Sequence, residues 1–242
     1  MESGPTSTLS GSVAVVTGGG RGIGLGIAAA LSGLGATVVI TGRNENRVHA
    51  AARELSSRGP ACEGVVCDVT DLASVTALGT RLREKYGRVD ILVNNAGIGG
   101  PPTLLHELDP DQWDAMFHTN VRGVFYMLRA VVPLMIAAGA GHIVNISSLA
   151  GKNPLPRGAA YSASKWALNG LTYSVAEELR AHNIRVSLVC PGSVNTEFRP
   201  HPGKDPDRML KPEDVAHVVT MLVTQRARSF VSEVLLRPTQ KP

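Results

Sequence analysis

Aromatic residues are scarce: the 242-residue chain carries two Trp, four Tyr and four Phe, 4% of the total. So few rings leave little to stack on nucleic-acid bases. The positive charge does not cluster either. Lys and Arg number 24 against 20 Asp and Glu, for a net charge of +4. The arginines scatter from Arg21 to Arg237 without a basic run, so no nucleic-acid partner is expected. Three cysteines (Cys62, Cys67 and Cys190) form no Cys-x-x-Cys pair, which argues against a secreted disulfide framework and against a structural zinc site. Seven histidines are dispersed, and His106-Glu107 runs into Leu108-Asp109-Pro110 rather than a zinc-protease helix motif, so no metal is expected. A Gly-x-Ser-x-Gly elbow is missing, which excludes that type of hydrolase. No run approaches the roughly 20 apolar residues of a membrane helix, and no basic segment precedes an apolar one at the start. The expectation is a cytoplasmic protein with no membrane partner.

Hydrophobic residues make up 43% of the chain and charged residues 18%, enough apolar content for a core without staples. Short β-branched runs recur at Val13–Val16, Thr37–Thr41, Gly64–Cys67, Ile91–Asn94, His142–Ile146, Arg185–Cys190 and Val231–Arg237. They read as near-continuous apolar strands, the pattern of a parallel sheet covered on both faces. Helical patterns lie between them at Gly22–Ser32, Glu45–Arg58, Leu72–Tyr86, Gln112–Ala138, Ala160–Ala181 and Glu213–Thr224. Start signals agree: Asp71 before a helical run, Asp109 before Pro110, and Lys211 before Pro212. The alternation predicts an α/β, Rossmann-like, doubly wound fold, with a seven-stranded parallel sheet flanked by helices on both faces. No linker or repeat divides residues 1–242, so a single domain is expected, with a short lid around 196–212.

The first strand runs into Thr17-Gly18-Gly19-Gly20-Arg21-Gly22-Ile23-Gly24 and then a helix. Such a turn lets backbone approach a pyrophosphate at the positive helix N-terminus, although it is also a common tight connection. Asp68-Val69 follow strand three and Asn95-Ala96-Gly97 follow strand four, at strand carboxyl ends where ligands of open sheets bind. Each has a plain alternative as a turn or cap residue. Ser148 follows strand five, and Tyr161 and Lys165 sit four apart on one helix face. That pair alone fits a solvated face equally well.

Together the Gly18/Gly22/Gly24 turn, Cys67-Asp68-Val69, Asn94-Asn95-Ala96-Gly97, Asn120, Ser148, Tyr161, Lys165 and Pro191-Gly192-Ser193-Val194-Asn195-Thr196 resemble the short-chain dehydrogenase/reductases. The resemblance spans nearly the whole chain in family order. It implies a nicotinamide cofactor, a small-molecule carbonyl or alcohol substrate, and a homodimer or homotetramer through the Gln112–Ala138 and Ala160–Ala181 helices. By resemblance Tyr161 is the general acid/base, Lys165 lowers its pKa and holds the nicotinamide ribose, and Ser148 binds the substrate oxygen. Asn120 would kink its helix and hold a relay water. The cofactor would contact Gly18, Gly20, Arg21, Gly22, Ile23, Gly24, Arg43, Asp68, Val69, Asn95, Ala96, Gly97, Tyr161, Lys165, Pro191, Gly192, Val194 and Thr196.

Strand two ends Thr41-Gly42-Arg43 with no acid to bind a ribose 2′-hydroxyl, and Arg21 adds a second cation, so NADP(H) is expected over NAD(H). Glu45 belongs to the next helix. Two other functions fit the same pattern: a 3-oxoacyl-carrier-protein reductase, and a nucleotide-sensing protein without turnover. Ala137-Ala138-Gly139-Ala140-Gly141 lacks the basic stretch that would meet an acidic carrier. The Ser232–Gln240 ending resembles branches acting on small aldehydes, ketones or 3-hydroxy acids. Leu149, Leu155, Pro156, Phe198 and Met209 are candidates to line the substrate site.

Overall fold

A computed structural model describes residues 8–198, 203, 205–226 and 228–242. Residues 199–202 and 204 of the expected lid therefore lie outside the described residues. Seven strands form one parallel sheet: β1 (Val13–Thr17), β2 (Thr37–Gly42), β3 (Cys62–Val66), β4 (Ile91–Asn94), β5 (Gly141–Ile146), β6 (Ile184–Pro191) and β7 (Glu233–Leu236). Their spatial order is β3-β2-β1-β4-β5-β6-β7. The chain reverses direction across the sheet between β1 and β4, which opens a crevice at their carboxyl ends.

The helices are α1 (Gly22–Gly33), α2 (Glu45–Ser56), α3 (Leu72–Tyr86), α4 (Pro110–Phe117), α5 (Gly123–Ala138), α6 (Ala159–Leu179) and α7 (Pro212–Val223). Their starts follow local chemistry. Asn44 accepts from Arg47 N, Asp71 from Ala73 N and Ser74 N, and Asp109 from Asp111 N. Pro212 opens α7, where the Asp214 carboxylate accepts from Lys211 N at 2.7 Å. These contacts satisfy amides that have no partner within the helix.

Two cores flank the sheet. Ile27, Leu31, Val38, Ile40, Val219 and Leu222 fill one face; Leu82, Leu92, Met127, Val131, Met135, Ile143 and Leu168 fill the other. The fold class expected from the alternating runs is the one observed, but the expectation that every strand is covered on both faces fails at the edges. β3 and β7 are only partly buried, and Val66 is 47% exposed. An edge strand has a neighbour on one side only, and β3 runs Cys62–Val66 in unbroken register with β2 rather than Gly64–Cys67.

The single helix expected over 112–138 is interrupted. Residues His118–Arg122 form a π turn between α4 and α5. By length and apolar content the stretch Pro110–Ala138 could cross a membrane, contrary to the reading that no run comes near that limit. Its inner face is nevertheless spent on the core, through Val124, Met127, Leu128, Val131, Leu134 and Met135.

Candidate active site

The crevice is a cleft of about 950 Å³. One end is built by the glycine turn after β1. Gly18 and Gly22 adopt φ of +65° and +53°, a region that side chains with a Cβ rarely visit. A Cβ on Gly24 would collide with the Gly18 carbonyl oxygen. Gly24 therefore does not line the cleft; it lets α1 close against the turn. The first turn of α1 contains no acidic residue and no side-chain cap, so its leading amides keep their partial positive charge for an anion. The cleft walls fit a phosphate-bearing nucleotide: a glycine cradle, an uncapped helix start, and arginines beyond it.

Asn95 locks this turn to β4. Its Nδ2 donates to Thr17 O at 2.9 Å, and Thr17 Oγ1 accepts from Asn95 N and Ala96 N. Asn94 does not form a turn either. It is buried and donates to Asn145 Oδ1, which shares its side chain with Thr172. Asp68 lines the cleft and also makes the plain turn contact, accepting from Thr70 N and Thr70 Oγ1.

Beyond the glycine turn, Arg21, Arg43 and Arg47 all line the cleft. Arg47, one turn into α2, was not singled out in the sequence. Its signal was available: α2 begins at Glu45, so Arg47 lies in its first turn, beside the end of β2. Glu197 was missed too. Its carboxylate lies 3.1 Å from Arg21 and 3.8 Å from Arg47.

At the other end Ser148, Tyr161 and Lys165 come together on the wall. Ser148 Oγ accepts from Ala150 N at 3.1 Å, capping a short 3-10 turn at Leu149–Gly151. That leaves its O–H free to donate. Ser162 Oγ donates to Ala150 O at 2.7 Å, tying the start of α6 to the same turn. Lys165 is only 4% exposed, and its ammonium donates to Ile146 O at 3.0 Å. Burial pulls its pKa down to about 8. Its Nζ lies 5.9 Å from the centre of the Tyr161 ring, and the Phe198 ring is 6.1 Å from that of Tyr161.

Asn120 stands behind this wall rather than in it. Its Oδ1 accepts from Ile98 N at 2.8 Å, while its Nδ2 donates to Ile98 O at 2.9 Å and to Ser164 Oγ at 3.0 Å. The residue sits in the π turn, which swings its amide off the helix axis toward the loop after β4. Ser147 is buried and donates to Asn169 Oδ1, and it too borders the cleft beside Ser148. Gly18, Gly20, Gly22, Ile23, Val69, Ala96, Gly97, Pro191, Gly192, Val194 and Thr196 all lie in the cleft lining. Of the substrate-lining candidates, Leu149, Leu155 and Phe198 do as well. Pro156 is exposed outside the cleft and Met209 is buried, and neither is in its lining.

An open parallel sheet with this crevice at its switch point defines a Rossmann-like nucleotide-binding class. Within that class the chain belongs to the short-chain dehydrogenase family of oxidoreductases, whose family model matches residues 12–206. An uncharacterized oxidoreductase of Staphylococcus saprophyticus is 36% identical over 231 residues, covering 95% of this chain and 98% of its own. A metagenomic short-chain oxidoreductase solved in complex with NADP is 49% identical, with a TM-score of 0.86, covering 97% of this chain and 100% of its own. The 3-ketoacyl-(acyl-carrier-protein) reductase from Brucella melitensis, solved with NADH, is 33% identical with a TM-score of 0.88, covering 95% and 97%.

Proposed function

We propose that the protein is an NADP(H)-dependent oxidoreductase that interconverts an aldehyde or ketone and its alcohol, with Tyr161 as general acid/base. The observation that carries this reading is the placement of Ser148, Tyr161 and Lys165 on one wall of a cleft whose far end holds three arginines. The NADP bound by the 49% identical metagenomic oxidoreductase supports the cofactor assignment.

A nicotinamide cofactor, when bound, would supply or accept the hydride. The chain does the rest. The glycine turn and the start of α1 would hold its pyrophosphate, and Arg21, Arg43 and Arg47 would hold its 2′-phosphate. Ser148 donates its O–H to the substrate oxygen as charge develops there. Tyr161 gives its phenolic proton to that oxygen in reduction and takes it back in oxidation. A free tyrosine titrates near pKa 10, so work near neutral pH requires a shift of roughly 2–3 units. The Lys165 ammonium, buried and with no carboxylate paired to it among the described residues, favours the phenolate. Both amide protons of Asn120 are engaged, so a relay water falls to its carbonyl groups.

Self-association belongs to the same proposal. Phe125 and Ile136 on α5 and Trp166 and Tyr173 on α6 are exposed on the faces turned away from the core, Trp166 at 52%. Apolar faces of this kind suit a second copy of the chain.

Initial rates with a panel of carbonyl compounds and either cofactor test the reading. NADPH is expected to be preferred, and Arg43→Ala to raise the KM for NADPH far more than that for NADH. A clear preference for NADH overturns the cofactor assignment. NADPH binding without turnover of any carbonyl leaves a nucleotide-sensing protein instead.

A further inference from the structure

The cleft continues past the catalytic wall into the segment after β7. Arg237, Pro238, Gln240 and Lys241 line it. This tail is packed, not dangling: Gly192 N donates to Leu236 O at 2.8 Å. A Cβ on Gly192 would lie 3.3 Å from both Pro238 Cδ and Leu149 Cδ1. The tail thus closes on the residues directly after Ser148 and Pro191.

Strand alternation gives Arg237 its direction. Leu236 packs with the core on the α1 and α7 face. Glu233, Leu235 and Arg237 therefore share the other face, toward α6. Glu233 confirms this assignment, because it pairs with Lys152 at 2.7 Å and accepts from Tyr173 of α6. Arg237 lies four residues further along, about 13 Å toward the carboxyl end of the sheet at the usual rise per residue. That is the end where α6 presents Tyr161. Arg237 also precedes Pro238, which confines its backbone to extended conformations.

Charge in the cleft is divided unequally. Its two side-chain carboxylates are Asp68, engaged by Thr70, and Glu197, engaged by Arg21 and Arg47. Among the described residues the tail's share of the lining is Arg237, Pro238, Gln240, Lys241 and Pro242, with no acidic side chain, and the ion pairing on this face ends at Lys152–Glu233. The planar guanidinium of an arginine suits bidentate capture of an oxyanion.

We propose that Arg237, assisted by Lys241, forms an anion subsite at the substrate end of the cleft, and that the carbonyl substrate carries a carboxylate or phosphate. The proposal rests on the oxidoreductase reading above for its chemistry. The subsite itself is defined by binding. Arg237 holds the anionic end while Ser148 and Tyr161 engage the carbonyl oxygen, so the two recognition points set the length of substrate that fits.

Matched compounds differing only in charge decide it. Succinic semialdehyde is compared with its methyl ester, and glyceraldehyde 3-phosphate with glyceraldehyde, on wild type and on Arg237→Gln and Lys241→Gln. The preferred anion is expected to exceed its neutral partner in kcat/KM by roughly ten- to a hundred-fold, the range for a hydrogen bond to a charged group. Arg237→Gln should bring that ratio near one while leaving the neutral compound within about two-fold, and the better of the two anions identifies the group. Equal turnover of charged and neutral partners, or a ratio unmoved in Arg237→Gln, overturns the subsite. So does a dependence on Arg237 seen only with carrier-protein thioesters, because the tail then meets a protein. Calorimetry with succinate against dimethyl succinate supplies a readout independent of turnover. Succinate binding that is lost in Arg237→Gln supports the subsite even if no carbonyl is reduced, a result that would sink only the oxidoreductase reading. Failure of succinate and inorganic phosphate to bind wild type overturns the subsite.

Discussion

Glu197 Oε2 lies 3.1 Å from Arg21 Nη1, joining a loop after β6 to a glycine turn 176 residues earlier in the chain. The same carboxylate reaches Arg47 at 3.8 Å. It thereby occupies two of the three arginines assigned to a 2′-phosphate, Arg21 and Arg47, and the residue after it, Phe198, lies beside Tyr161. Phosphate and carboxylate compete for one set of donors.

Glu197→Gln is therefore expected to lower the KM for NADPH, by up to about five-fold, because exposed ion pairs of this type contribute at most about 1 kcal/mol. NADH, which lacks the 2′-phosphate, should respond much less. Steady-state kinetics with both cofactors check this; a raised KM for NADPH shows that Glu197 supports the site instead.

Tyr161→Phe should reduce kcat by about 10²–10⁴ and leave NADPH affinity near the wild-type value. The ring and its packing against Phe198 are retained, and only the transferable proton is lost. Fluorescence titration of NADPH beside turnover separates the two effects.

Lys165 exchanges stability for function. Burial lowers its pKa from 10.5 to about 8, so the folded state holds the proton less tightly than the unfolded chain. The resulting penalty is fully present below about pH 8 and fades as pH rises from there to 10.5. Lys165→Met should be more stable than wild type at pH 7, by about 1–3 kcal/mol after allowing for the lost bond to Ile146 O. The gap should close by pH 10.5, and activity should fall steeply. Denaturant unfolding across this pH range tests the sign.

His142 sets an acid limit. It is buried on β5, its Nε2 lies 2.8 Å from Ser187 Oγ, and its Nδ1 has no partner among the described residues. Burial, and secondarily Arg185, lowers its pKa from 6.5 to about 3. The folded state thus resists protonation. Stability conferred by the neutral ring is complete above about pH 6.5 and lost as pH falls toward 3, with a slope of up to about 1.4 kcal/mol per pH unit. His142→Asn should flatten that acid limb in denaturant titrations.

Gly24→Ala should disable the turn. The added methyl meets the Gly18 carbonyl and the Asn95 amide, neither of which can withdraw without opening the β1–β4 junction. A loss of roughly 1–3 kcal/mol in stability is expected from such overpacking, together with loss of NADPH binding. Gly33→Ala, at a position with open space around it, is the control.

The sequence by itself determined the order of strands and helices, because apolar runs and caps such as Asp71 and Asp109 are local signals with local causes. It also placed Ser148, Tyr161 and Lys165 at strand and helix ends, through the spacing that the resemblance recognised. Edge strands were not legible in the apolar runs, and the break at Asn120 was legible only through the family resemblance, not through the helical pattern. Whether β3 is covered depends on which strands lie beside it, and the π turn depends on Ile98 and Ser164 meeting one amide. Tertiary structure alone brought Arg47 and Glu197 together beside the glycine turn, and set Pro238, just after the last strand, and Leu149 against Gly192. Those pairings join segments far apart in the chain, and only the closing of the sheet decides which distant charges share a cleft.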